Sequence, residues 1–337
     1  MKRVKLVTIL VVLIVIVAVG SVIYLATGPS TTPPKKKIKV ALVMSSPVND
    51  MGWNAMAYKG LLYIKENLGV EIAYSESVPD ADQERVIRDY AAAGYDLIIG
   101  HGFQFQAALF AVAKDYPNTA FAWADGYETL PNLACYAVLA HESGYLAGML
   151  AAGMSKTGII GAHGGEPVPD VVRIIEGYKL GAKAVNPNIR VLTVYIGSWI
   201  DTGKAKEATL AMIDAGADVI SHNSGAASFG GIEACNERGV YQIGDTADQY
   251  ELSPNLMLTS VLMYHATPII AMTKDLIEGK FEGKFYTYSM VDGGSDIAPY
   301  HGLETAIPAN LRAMIAKARE DIIAGKLVIP NIETPTE

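Results

Sequence analysis

The sequence predicts an α/β fold built from two doubly wound domains, each a parallel sheet covered by helices. Four observations predict it. Short runs rich in Val, Ile, Leu and Ala alternate with helical patterns, and the runs are apolar on both faces, as strands buried between two helix layers must be. The alternation occurs twice. The chain has 337 residues, enough for two domains of ordinary size.

In the first half, residues 38–44 form an apolar strand, and the polar turn that follows carries Asn49, Asp50 and Gly52. A helix over 53–67 opens on Trp53 and Asn54. The rhythm continues with a strand at 70–74, a helix at 81–93, a strand at 97–100, a helix at 105–115 and a strand at 119–124. After the apolar run at 134–139 a second set begins. It comprises a small-residue helix over 141–154, a strand at 157–161, a helix at 171–185, a strand at 189–196 and a helix at 203–215. A strand at 219–221, a helix at 230–238 and a strand at 240–244 complete it. The strand at 256–262 and the helix at 266–278 are expected to return to the first domain, and the tail from Ser289 to end on the second. Several crossings make a hinge, and a hinge makes a cleft. The domains predicted are thus 38–138 with about 256–288, and 139–255 with about 289–337.

Residues 6–26 contain no charged side chain and follow Lys2, Arg3 and Lys5. At about 1.5 Å per residue such a helix spans a hydrocarbon core of roughly 30 Å, and the basic flank places the rest of the chain outside the cytoplasm. Residues 1–27 are therefore expected to be a transmembrane anchor, with a cleavable signal as the alternative because Ala18, Val19 and Gly20 make a passable cleavage site. Residues 28–37, with Pro29, Pro33 and Pro34, read as a stiff polar linker. Either way the globular part lies on the extracytoplasmic side of the plasma membrane.

A formal net charge of −8 argues against a nucleic-acid partner held by phosphate contacts. The two cysteines, Cys135 and Cys235, form no CxxC pair, and the six histidines show no i, i+4 pairing. There is no GxSxG elbow, no phosphate loop and no HExxH. The Gly161-Ala-His-Gly-Gly165 run follows a strand, but Pro167 and Pro169 stand where a dinucleotide-binding helix would begin. No catalytic residue, cofactor or metal is predicted.

Binding residues fit the strand ends better. Open α/β sheets take ligands beyond the carboxyl ends of their strands, where helix N-termini present free N–H groups. The turn with Trp53 and Asn54, the turn around Phe103, the Gly197-Ser-Trp199-Ile-Asp201 turn, the Ser221–Gly225 stretch and the turn holding Asp245 and Asp248 all lie at such ends. Trp53 reads equally as a core residue capping the sheet or as a platform for a flat ligand. With Trp199 from the other domain it would make a sandwich for a planar ring.

These segments carry a resemblance that extends from about Ile38 to the C-terminus. The runs Asn49-Asp-Met-Gly-Trp-Asn54, Gly94-Tyr-Asp-Leu-Ile-Ile-Gly-His-Gly-Phe103 and Gly177-Tyr-Lys-Leu-Gly-Ala182 are similar to those of the basic membrane protein family of ABC-transporter solute-binding proteins, which is related to purine nucleoside receptors. Asn186-Pro187, the Gly197–Asp201 turn with Lys204, and Asp248-Gln249 add to it. The resemblance implies the type I periplasmic-binding-protein fold, two Rossmann-like domains joined by a multi-strand hinge, and a monomer that delivers its ligand to an ABC permease and its ATPase subunits. It implies that Trp53 and Trp199 hold a purine, that Asp50 and Asn54 read the base, and that Asp125 lies near the pocket. Gly225 is expected to let backbone approach the ligand.

Two departures stand out. Met263 occupies the position where nucleoside receptors of this family carry a ribose-binding lysine, and Thr246 stands where they carry a ribose-binding aspartate, with Asp245 one residue away. Losing both would remove charge-assisted hydrogen bonds of roughly 1.5 to 3 kcal/mol each, which favours a purine base such as adenine, or a nucleoside held differently. A membrane-tethered sensory ectodomain that binds a small molecule without transport is the alternative on the same scaffold.

Overall fold

The computed structural model describes residues 37–336. The expected anchor or signal over 1–27 and nearly all of the 28–37 linker lie outside them. Among the described residues no helix is long and apolar enough to cross a membrane.

The first lobe runs β1 (Lys39–Met44), α1 (Trp53–Leu68), β2 (Glu71–Ser75), α2 (Gln83–Ala92), β3 (Leu97–His101), α3 (Gln106–Asp115), β4 (Ala120–Ala124) and β5 (Leu133–Val138). The second continues with α4 (His141–Met154), β6 (Ile159–Gly164), α5 (Pro169–Val185), β7 (Arg190–Tyr195), α6 (Thr202–Asp214), β8 (Val219–Asn223), α7 (Ser228–Arg238), β9 (Tyr241–Gly244) and β10 (Met257–Met263). The chain then crosses back for α8 (Ala266–Ile277) and β11 (Phe285–Tyr288), and returns for β12 (Ser295–Ile297) and α9 (Ala309–Ile323).

Each lobe holds a six-stranded sheet, in the orders β2-β1-β3-β4-β5-β11 and β7-β6-β8-β9-β10-β12. Both are doubly wound, and in both the order reverses beside the first strand, at β1/β3 and β6/β8. All pairings in the first sheet are parallel; in the second only β12 runs antiparallel, at its edge. The two-sided apolarity of β1 has a direct cause. Val40, Leu42 and Met44 pack with Leu61 and Ile64 of α1 and Ile269 of α8, whereas Ala41 and Val43 face Ile87 of α2 and Leu109 of α3.

One boundary is corrected. The strand expected at 256–262 does not return to the first lobe: β10 pairs in parallel with β9 and antiparallel with β12. An apolar run states that a strand is buried but not which sheet takes it, and β10, next in sequence after β9, pairs beside it. The crossing therefore falls at Tyr264 and His265. Three crossings lie side by side, tied by Leu139 N–H to Tyr288 O (2.8 Å), Tyr264 N–H to Gly294 O (2.8 Å) and the Ser295 hydroxyl to Leu139 O (3.3 Å).

In the second lobe α4 and α5 cross with almost no side chain between them. A Cβ on Gly148 or Gly144 of α4 would overlap the carbonyl oxygen of Tyr178 or Ile174, and one on Gly181 or Gly177 of α5 would overlap that of Tyr145 or His141. Only glycine allows this approach.

Three buried imidazoles, those of His101, His163 and His222, are held by directional partners. His163 Nε2 and His222 Nδ1 lie 2.8 Å apart, and His222 Nε2 lies 2.8 Å from Gln242 Oε1. The Gln242 oxygen can only accept, so His222 donates from Nε2 and accepts from His163 at Nδ1. Burial pushes His222 down to about 4, as it does His101 in the first lobe. Nitrogen-detected NMR titration should find both rings neutral at pH 5; midpoints near the free value of about 6.5 would contradict this packing.

Candidate functional site

The carboxyl ends of the two parallel sheets meet around a cavity of about 270 Å³, close to the lower end of the roughly 300–1,000 Å³ usual for ligand pockets. Asp50, Trp53, Asn54, Phe103 and Asp125 line it from the first lobe, and Trp199, Gly225 and Asp245 from the second. Eight of the nine residues singled out in the sequence are thus brought together.

Asp50 acts first on its own helix. Its carboxylate accepts the backbone N–H groups of Gly52 (3.0 Å), Asn54 (2.9 Å) and Ala55 (3.0 Å) and the side-chain amide of Asn54 (2.8 Å). It thereby satisfies donors that the first turn of α1 leaves open, and it fixes how Asn54 is presented. The Asn54 Oδ1 is buried and has no partner.

Both readings of Trp53 hold at once. One face of the indole stacks on His101, with ring centroids 4.7 Å apart and planes 18° apart, and His265 meets its edge at 4.2 Å. His101 Nε2 donates to Trp53 O (3.0 Å), which leaves Nδ1 to accept the hydroxyl of Tyr136 (2.6 Å). Trp53 is therefore part of the core on one side and part of the cavity wall. Trp199 is seated differently, against Gly165, where a Cβ would overlap the indole, and near Gly225. Gly225 has φ +58°, a left-handed conformation in which glycine is unstrained. Phe103 is wedged between the rings of Trp123 and Tyr127, and its carbonyl accepts the Trp123 indole N–H at 3.1 Å.

Charge around the cavity has one sign. Asp50, Asp125, Glu166, Asp170 and Asp245 line it, with no lysine or arginine among the lining residues. Arg173 lies at the margin, its Nη1 3.6 Å from Asp125 Oδ1 and its Nε and Nη2 donating to Glu333 of the C-terminal segment. Burial raises the Asp125 carboxyl well above the usual range, Asp170 adds to the rise, and Arg173 opposes it. Burial likewise raises Asp170 and pushes Asp245 up to about 7, against the hydroxyl of Thr246, which donates to Asp245 at 3.0 Å.

Asp248 is the exception. It does not line the cavity: its carboxylate pairs with His301 Nε2 at 2.7 Å and accepts Tyr250 N–H at 3.2 Å. The turn points Asp248 away, and it is the adjoining Gln249 that faces inward, accepting Asp245 N–H (3.0 Å) and donating across the lobes to Met51 O (3.2 Å).

Several lining residues had not been singled out. Asp170, Val171 and Ile174 come from the first turns of α5, which begins at Pro169 rather than at Val171 as the pattern predicted. Proline at the first helical position was the available signal. Three residues that the sequence had marked in other ways line it too: Asn223, at the end of β8 within the Ser221–Gly225 stretch, and Thr246 and Met263 at the two positions of departure.

Residues 37–331 match the family model described as ABC transporter substrate-binding protein, PnrA-like. A purine-binding protein of Brucella abortus (strain 2308) is 32% identical over 296 residues, covering 87% of this chain and 83% of that protein. A putative ABC transporter glucose-binding protein of Haloferax volcanii is 30% identical over 282 residues, covering 83% of this chain and 68% of the other. Among solved structures, an ABC transporter system solute-binding protein from Aeropyrum pernix K1 superposes with a TM-score of 0.78 at 24% identity, covering 89% of this chain and 94% of that one. The shared fold is the two-lobed periplasmic-binding-protein architecture.

Proposed function

Since the chain belongs to the PnrA-like family of ABC transporter substrate-binding proteins, a family of binding proteins rather than enzymes, we propose that its cleft captures a purine, adenine in preference, and delivers it to a permease on the extracytoplasmic side of the membrane. The observation that carries this reading is the pair of tryptophans, one from each lobe, on a single small cavity. Base–aromatic stacking suits any planar ring, and an indole from each lobe on one small cavity favours something flat. Val168, Val171, Ile174 and Met263 extend the apolar lining. Phosphate has no cation to meet there.

The proposed action is closure. The ligand stacks on Trp53 in the open cleft, and the second lobe brings Trp199 over it about the three-segment hinge. Only the closed form contacts the ligand from both sides, so the ligand stabilises it. The Brucella relative's name supports the purine reading, and the Haloferax relative's name makes a sugar the competitor. A polyol needs donors as well as acceptors at many positions, and an apolar wall of Val168, Val171, Ile174 and Met263 offers none. Calorimetric titration with adenine, adenosine, guanosine, ribose and glucose decides the class: saturable one-to-one binding of a purine is expected, and binding of glucose with no heat from any purine would defeat the proposal.

The proposal has a pH signature. Asp245 offers both carboxylate oxygens as acceptors to a ligand only when ionised; protonated, one of them becomes a donor. Burial and the neighbouring Asp170 and Asp50 raise it to about 7, while Asp125, Glu166 and Arg173 complete the charged surroundings. Protonation below that value removes an acceptor. Affinity for adenine should therefore increase by roughly tenfold between pH 6 and pH 8, and Asp245→Asn should flatten the profile. An unchanged slope in that variant would exclude Asp245 from the contact.

A further inference from the structure

Helix α5 carries three charged residues at helical spacing, Arg173, Glu176 and Lys179, and all three are buried. They are met by the chain's own segment 331–336. Lys179 Nζ donates to Glu176 Oε1 at 2.8 Å and to Thr336 O at 2.7 Å, and Glu176 accepts the backbone N–H of Thr336 at 3.0 Å. Glu333 Oε1 accepts Arg173 Nη2 at 2.7 Å and Nε at 3.1 Å, together with the side-chain amide of Asn331 at 3.0 Å. The segment is thus tied to the helix along the whole of this charged stripe.

At the N-terminal end of the stripe the arginine also faces the other lobe. A guanidinium is a planar fork, so anchoring its Nε and Nη2 edge on Glu333 fixes where Nη1 stands. It stands 3.6 Å from Asp125 Oδ1, and neither atom has a hydrogen-bond partner among the described residues. Arg173 is 8% exposed and Asp125 6%, so bulk water does not readily replace the missing partner. Asp125 is firmly placed: it follows β4 directly, its N–H donates to Tyr136 O of β5 at 2.8 Å, and its φ is +54°, a conformation that aspartate adopts more readily than most residues. A closer approach of roughly half an ångström would turn the pair into a charge-assisted hydrogen bond.

Neither Arg173 nor Glu333 lines the cavity. A contact made between the lobes without touching the ligand alters the balance of open and closed forms itself, and it scales the affinity of every ligand by the same factor. We propose that Arg173 is the clasp of the cleft, a positioning residue that Glu333 holds against Asp125 of the facing lobe, with segment 331–336 as the strap that keeps it there. Without Glu333 the fork is free to turn to Asp170, the carboxylate three residues before it on α5 that also feels its charge. The proposal rests on the closure part of the functional reading and on no particular ligand.

The test is the distance between spin labels on Lys59→Cys of α1 and Glu207→Cys of α6, both exposed positions, measured by double electron–electron resonance in the full-length chain without added ligand. The native cysteines are buried and should stay unlabelled. The labelled wild type should show a closed component. Arg173→Gln should lower the closed-to-open ratio by about fivefold, the lower end of the range for energetic coupling between sites, and Glu333→Gln by about twofold. Asp125→Asn should match Arg173→Gln, and the double variant should go no lower. In the Arg173 and Glu333 variants adenine should dissociate faster by the same factors while the affinity ratio of adenine to adenosine stays that of wild type, a pattern that a merely structural tie would not produce. A wild type with no closed component overturns the proposal, as does Glu333→Gln with the wild-type ratio. Glu333 is half-exposed, so this second arm holds even if Arg173→Gln does not fold. Loss of thermal stability in either variant with an unchanged ratio likewise overturns the clasp. If adenine shifts none of these proteins, wild type included, the purine reading fails, while the ratios without ligand still decide the clasp.

Discussion

Trp199→Ala should weaken adenine binding by roughly 1 to 3 kcal/mol, the range for a base stacked on an aromatic side chain, which is about 5- to 150-fold in Kd. The protein should remain folded. Trp199 sits on the glycine surface formed by Gly165 and Gly225 at the mouth of the second lobe, so its removal takes away a wall of the cleft rather than a block of core. The effect should appear mainly in the dissociation rate, because this indole engages the ligand only after closure. Gly165→Ala supplies an independent check. Its new methyl group would overlap the Trp199 ring and displace the indole without deleting it, so affinity should drop although every stacking atom is present. Trp53→Ala should weaken binding comparably but also lower stability, since Trp53 covers His101 on one face and meets His265 at its edge. Equal thermal stability of the two tryptophan variants would contradict the double role assigned to Trp53.

Gly148→Ala and Gly181→Ala should each destabilise the protein by about 3 kcal/mol, at the upper end of the usual cost of overpacking. In both cases the added methyl group would overlap a carbonyl oxygen of the facing helix, Tyr178 O or Tyr145 O, and neither α4 nor α5 can retreat. Buried residues occupy nearly every position of α4, and α5 is buried from Val171 to Tyr178. Denaturant unfolding monitored by circular dichroism measures the shift, and a loss below about 0.5 kcal/mol would show that the helices have room to move. Because Val171 and Ile174 of the same helix line the cavity, forcing the pair apart should also reduce ligand affinity. The Gly177-Tyr-Lys-Leu-Gly-Ala182 run that marks the family in sequence is thus a packing requirement one layer behind the site.

The fold was legible where burial alone decides. Strands such as β1, apolar at consecutive positions, are readable because both faces meet helices, and the doubling of the pattern gives two lobes. What burial does not encode is the neighbour. The run that became β10 was placed in the wrong lobe, since its pairing with β9 and β12 depends on contacts far along the chain. The pattern predicts helix α5 from Val171, whereas it begins at Pro169, since a proline at the first helical position starts a helix without loss of a hydrogen bond. That two-residue difference hid Asp170 and the part of the cleft around it.

The site was legible to the extent that it lies on strand ends, as with Trp53, Phe103, Trp199 and Asp245. Roles set by long-range partners were not. Asp248 pairs with His301, 53 positions away, and no local pattern distinguishes it from the inward-facing Gln249. Asn223 could be placed in its turn, but that its side chain lines the cavity depends on the fold around it. Sequence showed that Met263 and Thr246 replace the ribose-binding lysine and aspartate of the nucleoside receptors it resembles; both line the cavity, so these replacements bear on whatever ligand occupies it.

The most direct test of a purine held between the lobes is a crystal structure of the extracytoplasmic chain grown with adenine. The account predicts one adenine with its ring between the indoles of Trp53 and Trp199 and an N–H group within hydrogen-bond distance of Asn54 Oδ1. A purine bound elsewhere, or lying in the cleft without contact to both indoles, would contradict it.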